Sequence, residues 1–372
     1  MKYYIISGEA SGDLHASNLI RHLKQKDDKM HVRAWGGDLM QAQGAVLVKH
    51  YKDLAFMGFL EVLINLRTIL ANIKLCKQDI LNYQPDVLIL VDYPGFNMRI
   101  AKFAHAKNIP IYYYISPQVW AWKKNRVYDI KKYVTKLYSI LPFEKEFYAS
   151  YDFEVEFLGH PLLDAVSNHK LHHSSTKQKW KIEGRPLIAL LPGSRTQELN
   201  KMLPKMLEVQ KHFMHCDFII AGVEALGEDF YQSFLKDSNI SVIFNNTYDL
   251  FEEADAALVS SGTATLETAL FYVPQVVCYE SSWVSFSIAK MLVDLKYISL
   301  VNLIADREVV RELIQEDLTV SNMVNELNRL LTQDGVEKMH LEYRKIESLL
   351  GGKGASERVA NSIFKELIET KS

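Results

Sequence analysis

The sequence predicts an α/β protein of two doubly wound domains, each built on a parallel sheet. Three observations lead there. Short apolar runs alternate with helical periods along the whole chain, as expected for strands buried on both faces with helices between them. At 372 residues the chain exceeds what one core ordinarily organises, so two domains of roughly 150 to 200 residues follow. A polar, aperiodic stretch over residues 167–179, SNHKLHHSSTKQK, separates the halves and reads as the linker or a loop beside it. The expected divisions are 1–166, 167–345, and a C-terminal helical segment, 346–372, packing back toward the first domain.

In the first half the clearest strands are Tyr3–Ser7, Val87–Val91 and Ile111–Ile115, with amphipathic stretches Leu19–Lys26 and Ile100–Lys107 between them. The second half repeats the style with Leu187–Leu191, Phe218–Ala221, Ser241–Phe244, Ala257–Val259 and Gln275–Tyr279. Two such domains place ligands at the carboxyl ends of their strands.

Apolar residues make up 48% and charged residues 24%, which describes a globular protein, and a net charge of -2 gives no reason to expect nucleic acid. Cys76, Cys216 and Cys278 are odd in number and far apart, against a disulfide framework or a zinc cluster and in favour of a cytoplasmic setting. His169, His172 and His173 read as solvated linker residues rather than metal ligands. Neither a signal peptide nor a membrane span is expected.

Two loops of the second half carry the strongest local chemistry. In LLPGSRTQEL a strand ends at Leu191, Pro192 and Gly193 turn the chain, and Ser194 and Arg195 precede a helix. Free N–H groups, a hydroxyl and a guanidinium then converge at a helix N-terminus, a receptor for a diphosphate. A proline-glycine turn with an exposed arginine is the plainer reading. LVSSGTATLETAL repeats the design with Ser261, Gly262 and Thr263, and Glu267 stands one turn into its helix. Two such loops in one sheet point to a nucleoside diphosphate. Glu267 would accept from ribose hydroxyls or simply complement the helix dipole.

Other nucleotide chemistries fit less well. The opening SGEASGDLH lacks G-x-G-x-x-G, and GEASG puts Ser11 one place late for a nucleophile elbow. The chain contains no D-x-D triplet for a metal-bound sugar nucleotide. A metal-independent glycosyl transferase survives this elimination.

The segments SGEASGDLH, LAFMGFLEVL, SPQVWAWKKNRV, LPFEKEFY, FLGHPLLDAV, LLPGSR and SSGTATLE, in that order, resemble the lipid-A-disaccharide synthase family along nearly the whole chain. The resemblance implies the GT-B architecture, with two facing Rossmann-like domains, the first for the acceptor and the second for UDP. It implies inverting transfer of 2,3-diacylglucosamine from its UDP derivative to the 6-hydroxyl of 2,3-diacylglucosamine 1-phosphate, with no cofactor or metal. It also places Asn302 near the nucleotide. A sugar-nucleotide epimerase, a transferase with another lipid acceptor, and an inactive lipid-binding scaffold are the alternatives, the last opposed by the intact diphosphate loops.

Within this reading the glycines of SGEASGD let the backbone approach a sugar, and Glu9 and Asp13 offer it carboxylates. Alternatively, Ser11 and Asp13 cap the following helix. Arg195 is the candidate for stabilising departing UDP. The candidate bases are Asp92, at the end of VLILV, then Asp13 and Glu9. Many relatives read D-x-P-D-F-N where this chain reads VDYPGFN, so Gly95 stands where their favoured carboxylate would be. Lys123, Lys124 and Arg126 either meet a substrate phosphate or belong to a solvated helix with tryptophans in the core.

Residues 54–75 are apolar over more than one helical face, through Met57, Phe59, Leu63, Leu70 and Ile73 among others. The excess is expected in a core, in a second subunit as a homodimer, against lipid, or on the cytoplasmic face of the inner membrane, which Arg67, Lys74 and Lys77 would favour.

Overall fold

A computed structural model describes residues 1–54, 66–121, 124–172, 180, 184–235, 240–281 and 296–369. It divides into two compact units, Met1–Ala165 with Leu350–Ser372, and Val166–Leu349.

The first unit is built on strands β1 (Lys2–Ser7), β2 (His31–Gly36), β3 (Val46–His50), β4 (Val87–Val91), β5 (Ile111–Tyr114), β6 (Lys136–Ser139) and β7 (Glu156–Phe157). All described pairings are parallel and the order is β3-β2-β1-β4-β5-β6-β7. Its helices are α1 (Ala10–Lys24), α2 (Asp38–Ala42), α3 (Leu66–Tyr83), α4 (Pro94–His105), α5 (Arg126–Tyr133) and α6 (Glu144–Ala149). Because side chains alternate along a strand, the central strands feed two cores. Tyr4, Ile6, Leu88, Leu90 and Tyr113 pack on one face with α3 and α4. Tyr3, Ile5, Val87, Ile89 and Tyr112 pack on the other with α1.

The second unit repeats the topology with β8 (Leu187–Leu191), β9 (Asp217–Gly222), β10 (Ser241–Phe244), β11 (Ala256–Ser260), β12 (Gln275–Tyr279) and β13 (Arg311–Ile314), in the order β10-β9-β8-β11-β12-β13. The chain enters it through α7 (Leu162–His172), and α8 (Thr196–Val209), α9 (Glu228–Gln232), α10 (Thr247–Glu253), α11 (Thr263–Leu270), α12 (Leu300–Ala305), α13 (Val320–Leu330) and α14 (Gln333–Leu349) follow. The last helix, α15 (Ala355–Glu369), belongs to the first unit, where Val359, Ala360 and Ile363 join the α1 core. The Asp164 carboxylate caps it by accepting from the Gly354 N–H at 2.6 Å and the Ser356 N–H at 2.8 Å.

The linker reading is corrected over residues 167–172, which continue α7 rather than forming a loop. Leu162, Leu163 and Val166 bury the apolar side of that helix. His169, read as solvated, is largely covered: its Nε2 lies 3.1 Å from Asp249 Oδ1 and its ring packs edge-on to Tyr248. His173 and the rest of the linker stretch lie outside the described residues, as do Met57, Phe59, Leu63 and Lys123. Among described residues, no helix is long and apolar enough to cross a membrane.

Candidate active site

In both sheets the strand order reverses beside the first strand of the unit, at β1/β4 and at β8/β11. Connections on the two sides of such a point run to opposite faces and leave a crevice at the carboxyl edge. The register pairs Ser7 with Val91 and Leu191 with Val259. Gly8, Glu9 and Asp92 therefore emerge side by side in the first unit, and Pro192–Arg195 emerges beside Ser260–Gly262 in the second.

In the first unit the turn after β4 is strained. Asp92 and Tyr93 both take left-handed backbone angles, with φ of 46° and 50°. Such a conformation is uncommon for aspartate and a true outlier for tyrosine. The Asp92 carbonyl accepts from the Tyr113 hydroxyl at 2.6 Å and from the Asn97 amide at 2.7 Å. The Tyr93 ring covers Gly8 so closely that a Cβ there would meet it at 2.3 Å. Burial raises the Asp92 carboxyl to about 6, and the neighbouring Glu9 charge adds to the rise. Asp92 and Glu9 thus form an interacting carboxylate pair, the arrangement expected of a proton acceptor poised near neutral pH.

The opening loop differs from its sequence reading. Gly8 and Gly12 make room for protein, since a Cβ on Gly12 would lie 2.4 Å from Ser7 Oγ. Ser11 and Asp13 sit inside α1 rather than capping it; Glu9 holds the cap position. The buried Asp13 carboxylate instead accepts from the backbone N–H groups of Gly37 at 2.8 Å, Leu39 at 3.1 Å and Met40 at 3.1 Å. It is spent on the start of α2, which removes it from the candidate bases. Gly95, in the first turn of α4, is exposed, and a Cβ there would meet no atom within 4 Å.

Lys124 is exposed and Arg126 half-buried, while Trp120 is buried edge-on to Phe143 with a centroid distance of 4.9 Å. Next to it the fully buried Glu144 accepts from the Ile140 and Leu141 N–H groups, both at 3.1 Å, and burial raises its carboxyl to about 7. Glu144, Tyr93, Asn97 and Tyr113 escaped sequence reasoning. The signal for Tyr113 was available in IYYYI, because a hydroxyl on a doubly buried strand must find a partner.

The second unit keeps its loops open. Gly193 has φ of 95°, a left-handed turn that favours glycine, and a Cβ there would lie 2.9 Å from Ser260 Oγ. Arg195 occupies the cap position of α8 without a side-chain cap; its guanidinium is 68% exposed and pairs with Glu198 at 3.2 Å. At that exposure the pair is weak and the guanidinium is available to a stronger anion. Ser194, Gly262 and Thr263 are likewise exposed, with nothing within 4 Å of a Cβ on Gly262. The Ser261 hydroxyl donates to the Ile298 carbonyl at 2.9 Å, so this serine shapes the loop. Glu267 is half-buried, accepts from the Tyr248 hydroxyl at 2.7 Å, and is raised by burial.

Asn302 does not present its side chain to a ligand. It is fully buried, donating to the Val310 carbonyl and the Glu312 carboxylate at 2.8 Å each and accepting from the Val309 and Val310 N–H groups. Its amide shapes the 306–310 turn instead.

Comparison with known proteins agrees with the two-sheet architecture. A neighbour in structure is UDP-GlcNAc 2-epimerase from Neisseria meningitidis bound to UDP-GlcNAc, with a TM-score of 0.72 over 98% of this chain and 100% of that one. The glycotransferase of kitacinnamycin scores 0.67 over 98% and 99%. At 14% and 13% identity these likenesses show a shared fold of the GT-B kind and nothing of substrate. Lipid-A-disaccharide synthase from Trichlorobacter lovleyi is 35% identical over 97% of this chain and 96% of its own length. The enzyme of that name from Syntrophus aciditrophicus is 36% identical over 96% and 95%. A model of the lipid-A-disaccharide synthetase family matches residues 3–364, and with these relatives it establishes that the chain belongs to that family of glycosyltransferases.

Proposed function

We propose that this chain is a lipid-A-disaccharide synthase that joins two diacylated glucosamines through a β-1,6 bond. Family membership across nearly the whole chain is the observation that carries the reading. The donor is UDP-2,3-diacylglucosamine and the acceptor 2,3-diacylglucosamine 1-phosphate. The acceptor 6-hydroxyl attacks C1 of the donor from the face opposite UDP, which inverts that centre. As the new C–O bond forms, the Asp92 carboxylate takes the hydroxyl proton; Glu9 holds the hydroxyl and keeps Asp92 basic. The old C1–O bond breaks with its electron pair going to UDP. Arg195 and the N–H groups of the 193–195 and 261–263 loops stabilise that charge, and Glu267 meets the ribose.

Because the cation needed at the diphosphate is an arginine, the reaction is proposed to need no metal. Purified protein given both diacyl sugars should yield the disaccharide 1-phosphate and UDP by mass spectrometry, with activity unchanged by EDTA. A product of epimerised donor without the acceptor, or no product at all, would refute the assignment.

The acyl substrates also suggest where the enzyme works. On α3, Leu70 and Leu81 are exposed on one stripe with Lys74 and Lys77 between them, which supports docking on an anionic membrane surface from the cytoplasmic side. Changing Leu70 and Leu81 together to serine should weaken binding to anionic liposomes without loss of turnover on detergent-dispersed substrate. Unchanged liposome binding would remove α3 from that surface.

A further inference from the structure

The strained turn after β4 carries an inference about residues that touch no substrate. We propose that Asn97 and Tyr113 are positioning residues, holding the left-handed Asp92–Tyr93 turn so that the Asp92 carboxyl stands against Glu9. The inference rests on the reading of Asp92 as the base.

Two consecutive non-glycine residues in the left-handed region persist only where their surroundings over-determine them. Here both determinants converge on one atom. The Asp92 carbonyl oxygen accepts from Tyr113, on the neighbouring strand β5, and from Asn97, one turn into α4; the same Asn97 amide reaches the Val91 carbonyl at 3.3 Å. The Asp92 N–H donates to the Tyr114 carbonyl at 3.3 Å, so Asp92 is held through both its N–H and its carbonyl. Asn97 and Tyr113 are fully buried, which leaves them no solvent alternative to these bonds. A third contact, the Tyr93 ring over Gly8, locks the turn to the loop that bears Glu9.

The titratable groups facing Asp92 are Glu9 from the loop after β1, Tyr93 from the turn itself and Tyr113 from β5, with Arg126 of α5 beyond Tyr113. Burial is the larger cause of the Asp92 elevation and the Glu9 charge adds to it, and both act only while the turn keeps the carboxyl in this place beside Glu9. A relaxed turn would let Asp92 swing toward water and return to the ordinary carboxylate range.

The test compares Tyr113→Phe and Asn97→Ala with wild type by the pH dependence of kcat/KM. Wild type should lose activity on acidification through about 6. In each variant kcat should fall roughly tenfold or more, as for a catalytic group displaced by a fraction of an ångström, with KM for both sugars held within about twofold. The acid limb should move to lower pH. Variants that only melt earlier, keeping kcat and the limb near 6, would overturn the proposal; should Asn97→Ala not fold, Tyr113→Phe, which removes one hydroxyl, decides alone. Asp92→Asn separates the two claims. If it retains turnover, the base assignment and this inference fall together; if it loses turnover while Tyr113→Phe keeps the wild-type limb, only the inference falls.

Discussion

The two switch points of this protein have the same topology and opposite chemistry. At β1/β4 the polar groups are buried or half-buried and already engaged: Asp92 is held in a strained turn by Tyr113 and Asn97, Asp13 is spent on α2, and Tyr93 seals Gly8. At β8/β11 the loops are open, with Arg195 and Ser194 exposed and space around Gly262. The difference fits the two tasks proposed for these loops. A proton acceptor must be preorganised, because its basicity depends on a fixed environment. A diphosphate receptor needs accessible donors that its ligand then orders.

The largest effect is expected in the open half. Arg195→Ala should lower kcat/KM by a factor on the order of 100 or more, as for other charge-stabilising groups, while leaving the melting temperature unchanged because its pair with Glu198 is exposed. Near wild-type turnover would mean that the loop N–H groups suffice.

In the engaged half, Asp13→Ala should act on stability. Three N–H groups lose their acceptor, two of them in buried bonds, at a cost of about 3 kcal/mol or more in chemical denaturation. Protein that remains folded should keep wild-type KM for the acceptor. A large rise in that KM without loss of stability would return Asp13 to the sugar.

A smaller effect concerns pH. His15 and His160 are buried and held down to about 4 and about 3, so they favour the folded state above pH 6.5, where the unfolded chain is also neutral, and lose that contribution on acidification. Glu144, raised to about 7, works in the opposite sense: its contribution is full below the ordinary glutamate value and lost as pH rises through 7. Glu144→Gln removes the second trend only. Its urea midpoint should therefore fall more steeply than wild type between pH 7.5 and pH 5; an equal slope would show that Glu144 is not elevated.

The smallest effect is at Gly95. Since a Cβ there meets nothing and an acid in a first helical turn is favourable, Gly95→Asp should change stability by less than about 0.5 kcal/mol. A clear loss would show that the α4 N-terminus has no room for the side chain.

What the sequence disclosed follows from how far each signal reaches. The central strands are continuous apolar runs, and the PGSR and SSGT loops are strand, turn and helix in ten residues, so both could be read locally. The edge strands β3, with its intermediate burial, and β7, two residues long, carry no such signature. Asp13 was misread because its partners lie 24 to 27 residues away, at the start of α2, and Asn302 because its buried amide is satisfied by a turn that composition does not reveal. Residues 167–172 were mistaken for linker because their polarity hides a helix anchored by its first turn, at Leu162 and Leu163. Asp92 was found from its place at a strand end, but its left-handed turn could not be, since nothing in VDYPGFN calls for positive φ at an aspartate followed by a tyrosine.

The division of labour between the two halves is tested most directly by measuring turnover and UDP affinity in the same variant, Asp92→Asn, with calorimetry for the second quantity. The account predicts turnover lower by roughly 100-fold or more, the usual scale for a lost general base, with UDP affinity equal to wild type. Retained turnover, or UDP affinity that falls in step with it, would contradict the account.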